Sequence, residues 1–186
     1  MTSDDARAFQ DCVAGGGVAL FPADTVYGLA AQADDEAAIR RLYEIKGRDA
    51  GKPAAVMYFS LERALAARDL GPRTRAAVER LLPGAVTLVL PGGSIRVPRL
   101  DGPLAPLSSV TAPVVQSSAN PAGGPDPRRL EDVDPGLRAR VDLELDGGEL
   151  PGIPSTVVDL RGYEDGGGHS VLREGAISAA AVAALL

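Results

Sequence analysis

The sequence predicts an α/β layer structure, with a twisted, largely buried sheet flanked by helices in a single domain over residues 1–186. Three observations carry that reading. Short apolar runs of strand length alternate with amphipathic stretches of helical period. Gly (22) and Pro (15) are frequent enough to punctuate many short elements, which excludes a helical bundle or coiled coil. A chain of 186 residues with 45% apolar side chains fills one core well and two cores thinly. With 4% aromatics and no Trp, that core is built from Val, Leu, Ile and Ala.

Taken in order, residues 4–14 read as a helix with Ser3 as N-cap and Gly15 as stop. Residues 17–21, Gly-Val-Ala-Leu-Phe, are a short buried strand ended by Pro22. Residues 34–46 are the clearest helix. Asp34 caps it, Asp35 and Glu36 favour its N-terminal dipole, Ile39, Leu42 and Ile45 form an apolar stripe, and Gly47 stops it. A strand at 54–59, a helix at 60–68 and a helix at 74–82 ended by Pro83-Gly84 follow. Strands are expected at 86–90, 95–97, 114–116, 141–145 and 156–160, and a last helix at 178–186 capped by Ser178.

The charge pattern limits function. One Cys and one His exclude a disulfide framework and a Cys/His zinc site. No apolar run reaches the roughly 20 residues of a membrane span, and the acidic, polar start Met1-Thr2-Ser3-Asp4-Asp5 is no secretory signal, so a cytoplasmic location is expected. A net charge of −6 argues against a general nucleic-acid coat. Yet residues 46–99 carry +6, between stretches of −5 and −7, which points to a local anion site. Of 19 basic residues only two are Lys, and both, Lys46 and Lys52, fall in the segment Lys46-Gly47-Arg48-Asp49-Ala50-Gly51-Lys52-Pro53. Its glycine spacing and Pro53 exclude a P-loop. Three cations on a Gly-containing loop can still hold a polyphosphate by their side chains, although a helix C-terminus also favours positive charge.

Ligands in open α/β sheets lie beyond strand ends. Three segments put polar groups there: Phe21 to Leu29 (FPADTVYGL), Gln116-Ser117-Ser118-Ala119-Asn120, and Pro154 to Asp159 (PSTVVD). Together with Lys46-Gly47-Arg48, Pro83-Gly84-Ala85-Val86-Thr87, Ile95-Arg96-Val97-Pro98 and Leu172-Arg173-Glu174-Gly175, they stand in an order that resembles the TsaC/YrdC family of threonylcarbamoyl-AMP synthases. The likeness runs from about Gly17 to Ser178. It implies a single YrdC-like domain with a mixed, twisted open sheet and a concave basic cavity. Longer relatives carry an extra C-terminal domain, which is not expected here. The chain departs from the family pattern at Ala23 (usually Thr), Met57 (often His), Asp49 (Pro), Ala122 (Ser) and Arg128 (Thr).

The resemblance implies that L-threonine, bicarbonate or CO2, and ATP give threonylcarbamoyl-AMP and pyrophosphate. The product is passed to transfer proteins that modify tRNA, with at most a weak tRNA contact by the synthase itself. A nucleotide- or RNA-binding regulatory relative without synthesis is the competing reading. Alignment of reactants and neutralisation of negative charge suffice for such a reaction, so no covalent nucleophile is required. Lys46 and Arg48 are the candidate catalytic cations. Lys46, Arg48, Lys52, Asn120 and Arg173 are assigned to ATP, and Thr25, Arg96, Ser118 and Ser155 to threonine. Arg96 suits the carboxylate because its planar fork can meet both oxygens. Mg²⁺ is expected to ride on the phosphates with no protein metal site. Tyr27 is open between pocket wall and core packing.

Overall fold

The computed structural model describes residues 1–47, 54–121 and 123–186. Helix α1 (Ser3–Ala14) is capped by Thr2 and not by Ser3. Thr2 Oγ1 accepts the Asp5 N–H at 3.2 Å while the Asp5 carboxylate accepts the Thr2 N–H at 2.7 Å, so two orphan donors are satisfied reciprocally. Strands β1 (Ala19–Pro22) and β2 (Tyr27–Gln32) form an antiparallel hairpin closed by the pair Pro22 and Tyr27. Strand β2 corrects the reading of residues 21–29 as a connecting segment. Its sequence YGLAAQ carries little β-propensity, and it is extended because strands pair with it on both sides and its first five residues are buried.

Helix α2 (Glu36–Lys46) is capped by Asp35, whose Oδ1 accepts the Ala37 and Ala38 N–H groups at 2.9 and 3.0 Å. The expected cap, Asp34, instead accepts from the Gln32 amide at 2.8 Å. Gly47 ends α2 in the left-handed region at φ 64°, where a side chain would be strained. Strand β3 (Ala55–Met57) leads to α3 (Leu61–Ala66), capped by Ser60, and α4 (Pro72–Leu81). Helix α4 starts before the expected residue because Pro72 fits its first turn and a distant carboxylate, Glu164, accepts the Thr74 N–H at 2.7 Å.

Strands β4 (Val86–Leu90), β5 (Gly93–Arg96) and β6 (Val114–Ser118) follow, with a 3-10 stretch over Gly102–Ser109. The remaining elements are a 3-10 turn (Leu130–Asp132), α5 (Pro135–Arg138), β7 (Leu143–Glu144), β8 (Thr156–Asp159), β9 (Ser170–Arg173) and α6 (Ala179–Leu185), the last capped by Ser178 as expected. Sequence patterning did not anticipate β9, α5 or the 3-10 segments. All are short, and β9 is an edge strand with mostly exposed side chains, so it lacks an apolar alternation.

The strands make one mixed nine-stranded sheet in the order β7-β1-β2-β6-β3-β5-β4-β8-β9. Parallel pairs (β1 with β7, β3 with β5, β4 with β8) are interleaved with antiparallel ones. Helix α2 covers Leu29 and Ala31 of β2, and α4 and α6 cover Leu88, Ile95 and Val158 on the same face. The opposite face carries α1 at one end, where Phe9 packs on Phe21 and Phe59 at ring distances of 4.9 and 5.5 Å. Beyond that end, among the described residues, no helix packs over β5, β4 and β8 on this face, and a cavity with a largely polar lining lies there. Among the described residues, no helix is long and apolar enough to cross a membrane.

Candidate functional site

Strand alternation determines what that surface shows. Ile95, Leu88 and Val158 face the helices, so Ser94, Arg96, Thr87 and Val157 face the other way. Gln116 and Ser118 of β6, Ala55 of β3, and Ser155 and Arg173 join them around a cavity of about 240 Å³. The register puts Met57, Arg96, Thr87, Val157 and Arg173 on adjacent strands as one transverse row. A larger hollow of about 580 Å³ lies on the far side of Asp24, lined by Leu81, Pro83, Leu104 and Leu150. Asp24, Asp101 and Glu149 line it beside Arg80 and Arg99, so it offers less to a polyanion than the smaller cavity, whose charged lining is Arg96 and Arg173.

One end of the polar cavity is built around Lys46. The last residue of α2, Lys46 is 7% exposed, and its ammonium donates to the Ser118 carbonyl (2.6 Å), the Asn120 carbonyl (3.0 Å) and Asn120 Oδ1 (2.8 Å). Ser118 Oγ, 3.3 Å from the same nitrogen, donates to Asn120 Oδ1 at 2.7 Å. A buried ammonium must be satisfied in this way, and the three residues therefore behave as one unit. The Asn120 amide nitrogen is committed to the Gly124 carbonyl at 2.6 Å.

The other end is built around Arg96, 3% exposed. Its Nη2 is paired with the Asp24 carboxylate and donates to Thr25 Oγ1 at 2.6 Å. Asp24 is fixed in turn by the Arg99 N–H at 3.0 Å. Burial pulls the Arg96 guanidinium below the usual arginine range, against the opposing pull of Asp24, and the nearby Arg173 charge adds to the lowering. Arg96 Nε is buried with no hydrogen-bond partner among the described residues, so one donor of the fork is left for an acceptor. Between the ends, Thr87 and Ser155 share a hydroxyl–hydroxyl bond at 2.8 Å, and Arg173 donates to the Ser155 carbonyl at 2.7 Å.

Of the residues singled out from sequence, Arg96, Ser118, Ser155 and Arg173 thus line one cavity. Lys46, Asn120 and Thr25 are bonded directly to that lining. Arg48 and Lys52 lie outside the described residues. Tyr27 is a core residue: it is fully buried, and its hydroxyl accepts the Gly147 N–H at 3.0 Å and lies 2.9 Å from both Asp146 Oδ1 and the Gly148 carbonyl. Burial pushes its pKa up to about 12. Ala23 and Met57, two departures from the family pattern, pack into the same apolar cluster under α1. Asp24, Ser94 and Gln116 were not singled out. Gln116 and Ser94 were legible only through the period-2 rule, standing two residues from Ser118 and Arg96 on the same strand faces.

The Sua5/YciO/YrdC family model, described as "Telomere recombination", matches residues 11–175. The chain belongs to that family. Threonylcarbamoyl-AMP synthase of Pyrococcus abyssi is 34% identical over 161 residues, covering 78% of this chain and 47% of that protein. The enzyme of the same name from Xanthomonas campestris is 33% identical over 168 residues, covering 80% of this chain and 89% of its own length. Among solved structures, P. abyssi Sua5 complexed with L-threonine matches with a TM-score of 0.85 at 28% identity, over 100% of this chain and 58% of that one. The chain spans about half the length of the P. abyssi and Bacillus subtilis relatives, 47% and 46%.

Proposed function

We propose that this chain is an L-threonylcarbamoyladenylate synthase acting as a single YrdC-like domain in the cytoplasm. It joins L-threonine, bicarbonate or CO2, and ATP, releases pyrophosphate, and delivers threonylcarbamoyl-AMP to the proteins that modify tRNA. The observation that carries this reading is the cavity itself: a hydroxyl-lined trough with a satisfied ammonium at one end and a buried, partly unpartnered guanidinium at the other. That is the layout needed to hold a nucleotide and an amino acid end to end. The likeness to P. abyssi Sua5 complexed with L-threonine supports threonine as the amino acid.

In this reading Arg96 takes the threonine carboxylate through its guanidinium, with Thr25, Ser118 and Ser155 supplying hydroxyls around it. Lys46, Arg48, Lys52 and Arg173 neutralise the triphosphate, and Asn120 acts through its grip on Lys46. The amine attacks the carbon of CO2 with loss of a proton, or of bicarbonate with loss of water, and a resulting carbamate oxygen attacks the α-phosphorus while pyrophosphate leaves. The cations stabilise charge that grows on the phosphoryl oxygens. Among the described residues the cavity's donor set is hydroxyls, an amide and guanidinium groups, with no carboxylate pair. A magnesium ion would therefore be carried by the nucleotide's phosphates, where it supplies charge neutralisation. The test is pyrophosphate release by folded protein with ATP, bicarbonate and Mg²⁺. Release that depends on L-threonine is expected, and threonine-independent or absent release rejects the reading.

A further inference from the structure

Gln116 has no place in the roles above, yet it occupies the middle of the cavity. It is 7% exposed and lies on the cavity face of β6. No hydrogen bond joins its side-chain amide to another described residue, and the amide borders the cavity and is not sealed within the protein. An amide that faces a cavity without a protein partner is free to pair with a group that enters. Its cross-strand neighbours are Ala30 and Ala55, whose small side chains leave it room. Gly28 completes the space: a Cβ there would stand 2.5 Å from the Gln116 amide nitrogen. Along its strand, Gln116 is followed two residues on by Ser118, which is bonded to Lys46. Across Ala55 and β5 lie Ser94 and then Arg96. Residue 116 therefore stands between the nucleotide end and the amino-acid end, with its amide nitrogen over Gly28 of β2.

A primary amide presents an N–H donor beside a carbonyl acceptor. A carbamate presents the complementary pair, its own N–H beside a carboxyl oxygen, so the two close a ring of paired hydrogen bonds. A neutral partner also leaves the charge balance of the carbamate to the surrounding cations. We propose that Gln116 is a substrate-contacting residue that recognises the carbamate group joining amino acid to nucleotide. This rests on the synthase reading of the cavity.

The test compares Gln116→Met, which keeps length and bulk without hydrogen-bonding groups, and Gln116→Glu, which removes the N–H donor. Steady-state pyrophosphate release is measured with bicarbonate, L-threonine and ATP varied in turn. Both variants are expected to lose about tenfold or more in kcat/KM for bicarbonate while KM for ATP stays within about twofold. A Gln116→Met variant with wild-type kinetics overturns the proposal, because a packing role alone is satisfied by Met. Gly28→Ala gives a second measurement that leaves Gln116 itself in place. By displacing the amide it is expected to lower bicarbonate kcat/KM in the wild type and to add nothing in the Gln116→Met background. A drop of equal size in both backgrounds overturns the proposal, and if Gln116→Met fails to fold, an unchanged Gly28→Ala does the same. A wild type without threonine-dependent release rejects the synthase reading and this inference with it. An active wild type indifferent to these substitutions rejects only the role of Gln116.

Discussion

At the residue scale, Asp24 and Arg96 show how a buried charge is kept usable. The guanidinium is 3% exposed, and burial alone disfavours its charged form. The Asp24 carboxylate supplies the counter-charge at Nη2, while Nε is enclosed with no partner among the described residues. Asp24→Asn preserves shape but removes that counter-charge. It is expected to destabilise the fold by about 3 kcal/mol, read as a lower midpoint in urea, and to weaken threonine binding more than ATP binding in calorimetric titration. An unchanged midpoint would show that the pair contributes nothing net. Arg96 itself was readable from sequence, as a planar fork in a short segment after a strand candidate. Asp24 stood within the polar segment after the first strand but was given no role, because its partner lies 72 positions away.

At the element scale, helix α1 closes one end of the open face, and its apolar contacts are concentrated in a few side chains. All three phenylalanines of the chain, Phe9, Phe21 and Phe59, meet beneath it. Phe9 is fully buried, so Phe9→Ala removes a ring from a packed trio and leaves a cavity. A loss of about 3–5 kcal/mol is expected, measured by chemical denaturation, with α1 the first segment to lose amide-exchange protection. Uniform loss of protection across the sheet would show that α1 is no separate unit. Helices with a strong apolar stripe were legible in the sequence, and their ends were displaced by one or two residues where a neighbouring polar group outcompeted the expected cap. Thr2 in place of Ser3 and Asp35 in place of Asp34 are such cases. Strands β2 and β9 escaped because pairing, and not their own composition, makes them strands.

At the scale of the whole molecule, the cavity bridges the sheet from β6, beside α2, to β9 at the edge. A ligand seated across it ties together elements far apart in sequence. At a free concentration of 100 times Kd it should stabilise the fold by about 2.7 kcal/mol. For a chain of this size that is a rise of roughly 5–10 °C in Tm. The expected pattern in thermal melts is a rise with Mg-ATP and a further rise when L-threonine is added. No shift with ATP at any concentration would mean that the trough does not hold a nucleotide.

The sequence by itself determined the layered α/β class, the main helices, the basic stretch over residues 46–99 and the family likeness, because each rests on local periodicity, charge or contiguous motifs. Only the tertiary structure decided that Lys46 is gripped by Ser118 and Asn120, that Arg96 is paired with Asp24, and that Gln116 faces the same cavity as Ser118 and Arg96. The reason is physical. Which face of a strand is left uncovered depends on where distant helices pack, and a side chain's partners across a sheet are set by register between segments that the chain's local pattern does not encode.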